Sequence, residues 1–216
     1  LLIPYREDRT DRLDEGSAYG EVSYVLLPRL TLSDGGRAFW SSVSTRSEIV
    51  QPLLNARADF QGRMAGSGFA PKLVASWRSG DDLLLYVQAA EGYRAGGFNT
   101  SGLVGQAFGG PGSSVEPYRR YGGDELWNYE AGAKLALFDS RLRLRAAAFS
   151  SVWTDIQTEQ LLGSGLPFTA NIGDGLVTGL EVEGSFRIGG LSLRGNLLFE
   201  HPEIVRPNIA FPAPTD

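Results

Sequence analysis

The stretch Tyr129–Phe138 (YEAGAKLALF), followed by Asp139-Ser140 and then Arg141–Phe149 (RLRLRAAAF), decides the fold. In its first half Tyr129, Ala131, Ala133, Leu135 and Leu137 are apolar, with Glu130, Gly132, Lys134 and Ala136 between them. In its second half Leu142, Leu144, Ala146 and Ala148 alternate with Arg141, Arg143 and Arg145. Period two is the mark of a strand with one apolar face. A two-residue turn at Asp139-Ser140 sets Leu137 opposite Leu142, Leu135 opposite Leu144 and Ala133 opposite Ala146. Both apolar sets then share one face, which a slip of one residue would destroy.

Three more hairpins pass the same parity test. A turn at Gly189-Gly190 pairs Ile188 with Leu191, Phe186 with Leu193, Val182 with Leu197 and Leu180 with Phe199. Its other face sets Arg187, Ser185, Glu183 and Glu181 against Ser192, Arg194, Asn196 and Leu198. A three-residue turn at Ser79-Gly80-Asp81 pairs Trp77 with Leu83, Ala75 with Leu85 and Leu73 with Val87. A turn at Leu27-Pro28-Arg29 puts Val22, Tyr24 and Leu26 on the face of Leu30 and Leu32. Asp34 falls on that same apolar face opposite Val22, so a bulge at Gly35-Gly36 is expected there. Four hairpins give about eight strands, each near the ~10 residues of a tilted membrane strand.

Short turns near 28, 80, 139 and 189 alternate with long segments at about 41–68, 95–123 and 158–173, which are rich in Gly, Ser, Pro and Gln. Compact soluble domains seldom carry several such loops, whereas an outer-membrane barrel has short turns at one end and long loops at the other. Trp40, Tyr93, Trp127, Tyr129 and Trp153 lie where the long segments begin or end, as an interfacial girdle requires. A soluble antiparallel sandwich or barrel also alternates, but its loops have no reason to alternate in length. The fold class read from these patterns is all-β, an antiparallel up-and-down transmembrane barrel segment.

Composition narrows the chemistry. The 216 residues carry a net charge of −5 with no basic tract, so no nucleic-acid partner is expected. The absence of cysteine and the single histidine, His201, remove disulfides, thiolate sites and most zinc chemistry. His201 stands beside Pro202 with no serine or acid tied to it by a motif, so the chain is read as no enzyme. Gly109-Gly110-Pro111-Gly112 lacks the Lys-Ser/Thr of a phosphate loop. Asp81-Asp82 and Asp124-Glu125 lack the spacing of a calcium loop, and no metal or other cofactor is expected. No signal peptide opens the chain, since Leu1-Leu2-Ile3-Pro4 runs straight into the charged Tyr5–Glu15 segment. Either the protein is cytoplasmic or the chain begins inside a larger one.

Several motifs in succession resemble the barrel of TonB-dependent outer-membrane receptors. They are Phe69–Leu73 (FAPKL), Leu85-Tyr86, Glu91–Asn99 (EGYRAGGFN), Trp127–Lys134 (WNYEAGAK), Arg141–Phe149, Asp155-Ile156-Gln157, Asn171-Ile172-Gly173 and Gly179–Glu183 (GLEVE). The resemblance covers about residues 18–200 in the family's order. It implies a 22-stranded barrel, of which this chain holds about eight strands, and a plug domain that these residues do not include. It also implies partners: outer-membrane lipid, the plug of the full-length chain, the TonB complex acting through a missing N-terminal segment, and a small-molecule ligand such as a ferric siderophore. The implied setting is the outer membrane of a Gram-negative bacterium. A small closed barrel serving as an adhesin or anchor is the competing reading.

Ligand contact is expected in the loops, where Tyr93, Arg94, Asn99, Arg119, Arg120, Tyr121 and Trp153 combine guanidinium forks with aromatic rings. Glu130, Lys134, Arg143, Arg145, Glu181 and Glu183 form a charge ladder on the lumen face, with Lys134 opposite Arg145 and the two glutamates as neutralising partners. That ladder reads as a polar conduit, a plug-docking surface, or a solvated lining.

Overall fold

A computed structural model describes residues 5–52, 55–100, 119–161 and 167–208. The expected alternation becomes one antiparallel sheet of eight strands: β1 (Arg6–Leu27), β2 (Leu30–Gln51), β3 (Ala56–Arg78), β4 (Leu83–Arg94), β7 (Asp124–Leu137), β8 (Leu142–Thr154), β11 (Gly173–Ile188) and β12 (Leu191–Pro207). Two short ribbons stand apart from it. One pairs β5 (Gly97–Phe98) with β6 (Arg120–Tyr121), the other β9 (Gln157–Leu161) with β10 (Pro167–Asn171). Each main strand pairs with the next along the sheet, so the order is up-and-down, with β1 and β12 at opposite edges.

The deciding hairpin has the register read from its sequence, with Leu137 opposite Leu142, Leu135 opposite Leu144 and Ala133 opposite Ala146. Asp139 and Ser140 both take positive φ, 54° and 61°, the tight-turn conformation whose twist matches that of the strands. At the other end Ile188 meets Leu191 and Leu180 meets Phe199, and Gly189 supplies the positive φ of 54° that this turn needs.

The turn after β3 differs. Trp77 pairs with Leu85, Ala75 with Val87 and Leu73 with Ala89, two positions from the expected register. The Ser79 N–H donates to the Leu83 carbonyl, which lengthens the turn through Asp82. A shift of two preserves every face, so hydrophobic parity alone leaves the registers undistinguished. Near Pro28 the irregularity lies between Val25 and Leu27. The bulge expected at Gly35-Gly36 is absent, because Gly35 pairs with Glu21 and Lys72, and Gly36 with Gly20 and Pro71, in unbroken register. Asp34 therefore stands in line between Val22 and Leu73 on the apolar face.

Residues 41–68, expected as a loop, are mostly strand. β2 and β3 pair from Leu30–Trp77 up to Gln51–Ala56, and β1 runs beside them from Arg6, so these strands reach 22 and 23 residues instead of about ten. Period two is silent there because polar residues dominate both faces, with Ser42, Ser44, Arg46 and Glu48 on one, and Ser41, Thr45 and Ser47 beside Val43 and Ile49 on the other. Segment 95–123 carries the β5–β6 ribbon at its ends, and 158–173 is largely the β9–β10 ribbon. Residues 101–118, including the Gly109–Gly112 run, lie outside the described residues.

The apolar face has the height of a bilayer. From Leu30 to Trp40 on β2, and from Leu137 to Trp127 on β7, there are ten residue steps; at about 3.3 Å each and a tilt near 40° they rise about 25 Å. Val22, Leu32, Leu73, Val87, Leu180, Leu197 and Phe199 are exposed on this face, a contiguous apolar surface far beyond what a soluble monomer leaves bare. Trp40 and Phe69, both exposed, and the stacked pair Trp127–Tyr129 mark its upper edge. Trp153, expected in the same girdle, lies on the other side of the sheet, and Tyr93, which shares the face of Val87 and Trp127, meets the inner side of the β1–β3 wall instead of lipid.

Above the apolar band the sheet divides. β3 and β4 stop pairing at Lys72–Ala90, while β1, β2 and β3 continue together. The top of β4 and the β5–β6 ribbon then lie against the polar face of the tall β1–β3 wall. Phe98 is buried against Phe60 at 5.5 Å between ring centroids. Gly62 leaves room for this approach, since a Cβ there would come within 2.7 Å of the Phe98 ring. The other ribbon closes a small core of Ile156, Phe168, Ala170 and Ile172, against which Trp153 and Ile204 pack.

Candidate functional site

The two ribbons are sewn to the sheet and to each other on its polar face. Asp124, the first residue of β7, is buried. Its carboxylate accepts hydrogen bonds from Arg94 Nε at 2.9 Å, Trp153 Nε1 at 3.0 Å and the Gln157 backbone N–H at 3.1 Å. Arg94 also pairs with Asp124 through its terminal nitrogen, donates to the Gln157 carbonyl at 3.1 Å and lies over the Trp153 ring at 5.2 Å. Burial pushes the Asp124 carboxyl up, but the bonds from Arg94, Gln157 and Trp153 and the Arg94 charge outweigh it and hold the group below the ordinary aspartate value.

Asn99 joins the ribbons. Its Nδ2 donates to the Thr169 carbonyl at 2.7 Å and its Oδ1 accepts the Thr169 N–H at 2.8 Å. Arg119 donates to the Thr100 carbonyl at 3.2 Å and lies over Phe60 at 4.9 Å. At the tall wall, Glu7 accepts from Ser47 at 2.7 Å and from the Thr100 hydroxyl, and Arg9 donates to the Phe98 carbonyl at 3.0 Å. Burial raises the Glu7 carboxyl, yet bonds from Thr100, Ser47 and Tyr5 with the Arg9 charge bring it below the usual glutamate value.

A cleft of about 450 Å³ remains between ribbon and wall, lined by Arg9, Glu15, Arg37, Tyr93, Phe98 and Tyr121 among others. Tyr93 stacks on Phe39 with ring centroids 3.3 Å apart and donates to Glu15 at 3.1 Å. Arg37 pairs with the same glutamate and lies 5.8 Å from the Tyr93 ring. Arg120, exposed, sits over the Phe98 ring at 5.6 Å.

The loop residues expected to meet ligand thus divide. Tyr93 and Tyr121 line the cleft with Arg94, whose guanidinium is engaged by Asp124, and Arg120 stands close by. Asn99 and Trp153 spend their polar atoms on ribbon and strand, and Arg119 donates from a terminal nitrogen to ribbon carbonyls. Sequence reading missed Arg9, Glu15, Arg37 and Phe39, which lie 50 or more positions from Tyr93, Phe98 and Tyr121, and it weighed Asp124 only as a calcium ligand. The one available signal was the charge run Arg6–Glu15, too polar for a lipid-facing strand yet alternating in sign.

The charge ladder lies on the polar face nearer the short turns. Lys134 does stand opposite Arg145, but Lys134 lies over the Tyr86 ring at 5.4 Å, and Arg145 reaches Glu183 at 3.7 Å. Both members of that pair are roughly half exposed, so it is worth about 0–1 kcal/mol. Glu181 sits opposite Ala147 and Leu198 and not beside either cation. Glu130 instead accepts from Tyr86 and from Gln88 at 3.1 Å. A hollow of about 780 Å³ lies below, bordered by Lys134, Arg143, Arg145, Glu183, Arg187 and Arg194. His201 pairs with Thr178 on β11, near the girdle level. Among the described residues no three His, Asp or Glu side chains come together as a metal site.

Comparison with known proteins agrees with this architecture. In fold the chain is similar to the ferric yersiniabactin uptake receptor FyuA from Yersinia pestis, with a TM-score of 0.72, 20% identity, and 94% of this chain covered against 29% of that one. It is similar to the siderophore receptor PiuA from Acinetobacter baumannii, at TM-score 0.66 and 16% identity, covering 92% and 27%. It is similar also to the copper transporter OprC, at TM-score 0.63 and 16% identity, covering 89% and 29%. The chain therefore spans less than a third of the length of these structures. A family model for the TonB dependent receptor-like beta-barrel matches residues 2–208, and the chain belongs to that family.

Proposed function

We propose that this chain is a wall segment of an outer-membrane receptor of a Gram-negative bacterium that takes up a scarce nutrient with energy from the TonB complex, and that the cargo is a ferric siderophore. In this reading the short turns face the periplasm and the ribbons face the cell exterior. The plug of the full-length chain occupies the hollow bordered by Lys134, Arg143, Arg145 and Glu183, and the TonB complex engages the segment preceding the plug.

The observation that carries the cargo assignment is the cleft between ribbon and wall. Receptors of this fold include both siderophore receptors and a copper transporter, so the fold alone selects neither. Three arginines, Arg9, Arg37 and Arg94, against two acids, Asp11 and Glu15, leave the cleft cationic beside Tyr93 and Tyr121, which favours an anionic chelate with flat groups over a bare cation, because guanidinium forks grip anionic oxygens and rings stack.

The test is uptake of iron-55 in iron-limited cells, supplied on a panel of catecholate, phenolate and hydroxamate siderophores, with the gene present, deleted, or carrying Arg9→Ala/Arg37→Ala. One siderophore should require the gene, and the double substitution should cut its uptake at least tenfold. Uptake of ionic copper in place of every siderophore would overturn the cargo assignment.

A further inference from the structure

The outward face of β1–β3 stays ordered by register above Trp40. Gly16, Trp40 and Ser67 form one row across the three strands; Asp14, Ser42 and Ala65 the next; Arg12, Ser44 and Arg63 the one above. Then come Thr10, Arg46 and Gln61, and above them Asp8, Glu48 and Asp59. Arg12 and Arg63 flank Ser44 from either side, and Arg46 is the next residue of the middle strand on that face. Diagonal neighbours in a sheet lie about 7–8 Å apart, so the three guanidinium groups share one patch. All three are exposed. Arg63 Nε donates to Ser42 at 3.2 Å, and Arg12 holds Asp14 with Nε and a terminal nitrogen at 2.9 and 3.0 Å.

The level of the patch matters as much as its charge. Four residue steps at about 3.3 Å and a tilt near 40° place it about 10 Å above Trp40, on the side of the sheet that faces lipid below. Arginine stems are long enough to bend toward the membrane surface, where the phosphates of lipid headgroups lie. We infer that Arg12, Arg46 and Arg63 bind the phosphate-bearing headgroup of an outer-leaflet lipid, an inference that rests on the membrane placement proposed above. Arginine suits this ligand because its planar fork grips phosphate oxygens in pairs. The row Asp8, Glu48 and Asp59 closes the site from above, two of its acids being engaged by Arg6 at 2.8 Å and Arg57 at 3.1 Å. With two of its acids paired, Asp59 leaves this level net negative, so it attracts a phosphate less than the three arginines beneath it do.

The test uses the full-length receptor in nanodiscs of neutral lipid doped with bisphosphorylated lipid A, with retained lipid counted by native mass spectrometry. Arg46→Glu/Arg63→Glu should lower retention at least tenfold relative to the native receptor and to Arg29→Glu, a reversal at a short turn. Arg46→Gln/Arg63→Gln, which removes charge without introducing repulsion, should give a loss in the same direction. Heat-modifiable gel mobility verifies that each variant is folded. Equal retention by both double variants, or equal retention of dephosphorylated lipid A, would overturn the inference. Displacement of lipid A by millimolar inorganic phosphate would also overturn it and assign the patch to phosphate in solution. A receptor that transports no siderophore but retains lipid A in this pattern separates the two readings.

Discussion

The indole Nε1–H of Trp153 donates to the buried carboxylate of Asp124 across 3.0 Å, tying the upper end of β8 to the first residue of β7. The same carboxylate receives Arg94 from the end of β4 and the N–H of Gln157 at the start of β9. Four elements thus meet at one anion. Below it the strands are held by continuous backbone ladders. Above it the ribbons have only two and five paired positions of their own, far too few to stand alone. Ribbon order and sheet order therefore rest on different interactions and can be perturbed separately.

Asp124→Asn should expose that separation. The amide keeps the shape but removes the charge that strengthens each of its hydrogen bonds. Losing charge-assisted bonds of this kind costs about 2 kcal/mol, about 30-fold in an opening equilibrium. Amide hydrogen exchange should quicken by that order at Gly97–Asn99 and Gln157–Leu161, with the centres of β7 and β8 unchanged. Equal loss of protection along those strands would show that the clamp supports the sheet itself.

The pH dependence follows from the same groups. Asp124 and Glu7 both have carboxyls below their ordinary values in the folded chain, so each binds its proton more readily once released. Their stabilisation is complete above the ordinary carboxyl values and is lost as the pH falls through the depressed ones. Ribbon protection, followed by hydrogen exchange corrected for intrinsic rate, should stay level through neutral and mildly acid pH and fall only below about 4. A decline beginning near pH 6 would contradict the assignment.

Gly132 lies directly across from Tyr86, whose ring fills the space a side chain would take: a Cβ on Gly132 would come within 2.6 Å of the phenol oxygen. Gly132→Val should displace that ring, break the Tyr86–Glu130 hydrogen bond and remove the aromatic surface beneath Lys134. Overpacking of this kind costs about 1–3 kcal/mol, readable as a lower urea midpoint of the refolded full-length barrel. Gly80→Ala is the control, since the space beside Gly80 is open.

How much of this was legible depended on where lipid enforces a pattern. Leu137–Leu142 and Ile188–Leu191 could be paired from sequence because Asp139-Ser140 and Gly189-Gly190 mark two-residue turns that fix the register, which the alternation of apolar residues then matches. The same logic failed by two residues at Ser79–Asp82, where Leu83, Leu84 and Leu85 make either register equally apolar. It fell silent at 41–68, where water on one side and the β5–β6 ribbon on the other leave no apolar face. The clamp was the least legible. Arg94, Asp124 and Trp153 come from three strands, and nothing in their spacing announces that they share a carboxylate.

Asp34 offers the sharpest test of the lipid-facing assignment. It stands between Val22 and Leu73 without a bulge to turn it aside, four residue steps above Leu30 and hence about 10 Å into the apolar band. A carboxylate at that depth opposes membrane insertion, by less than the roughly 2–4 kcal/mol of a basic side chain at the midplane. Asp34→Leu should therefore stabilise the full-length barrel by about 1–2 kcal/mol in bilayers, seen as a higher urea midpoint. In a soluble sheet the same face would meet water, and Asp34→Leu would extend an exposed patch that already holds Val22, Tyr24, Leu32 and Leu73, promoting aggregation with no gain in stability. A higher urea midpoint in bilayers would place the residue in the membrane; aggregation with no gain in the midpoint would place it in water.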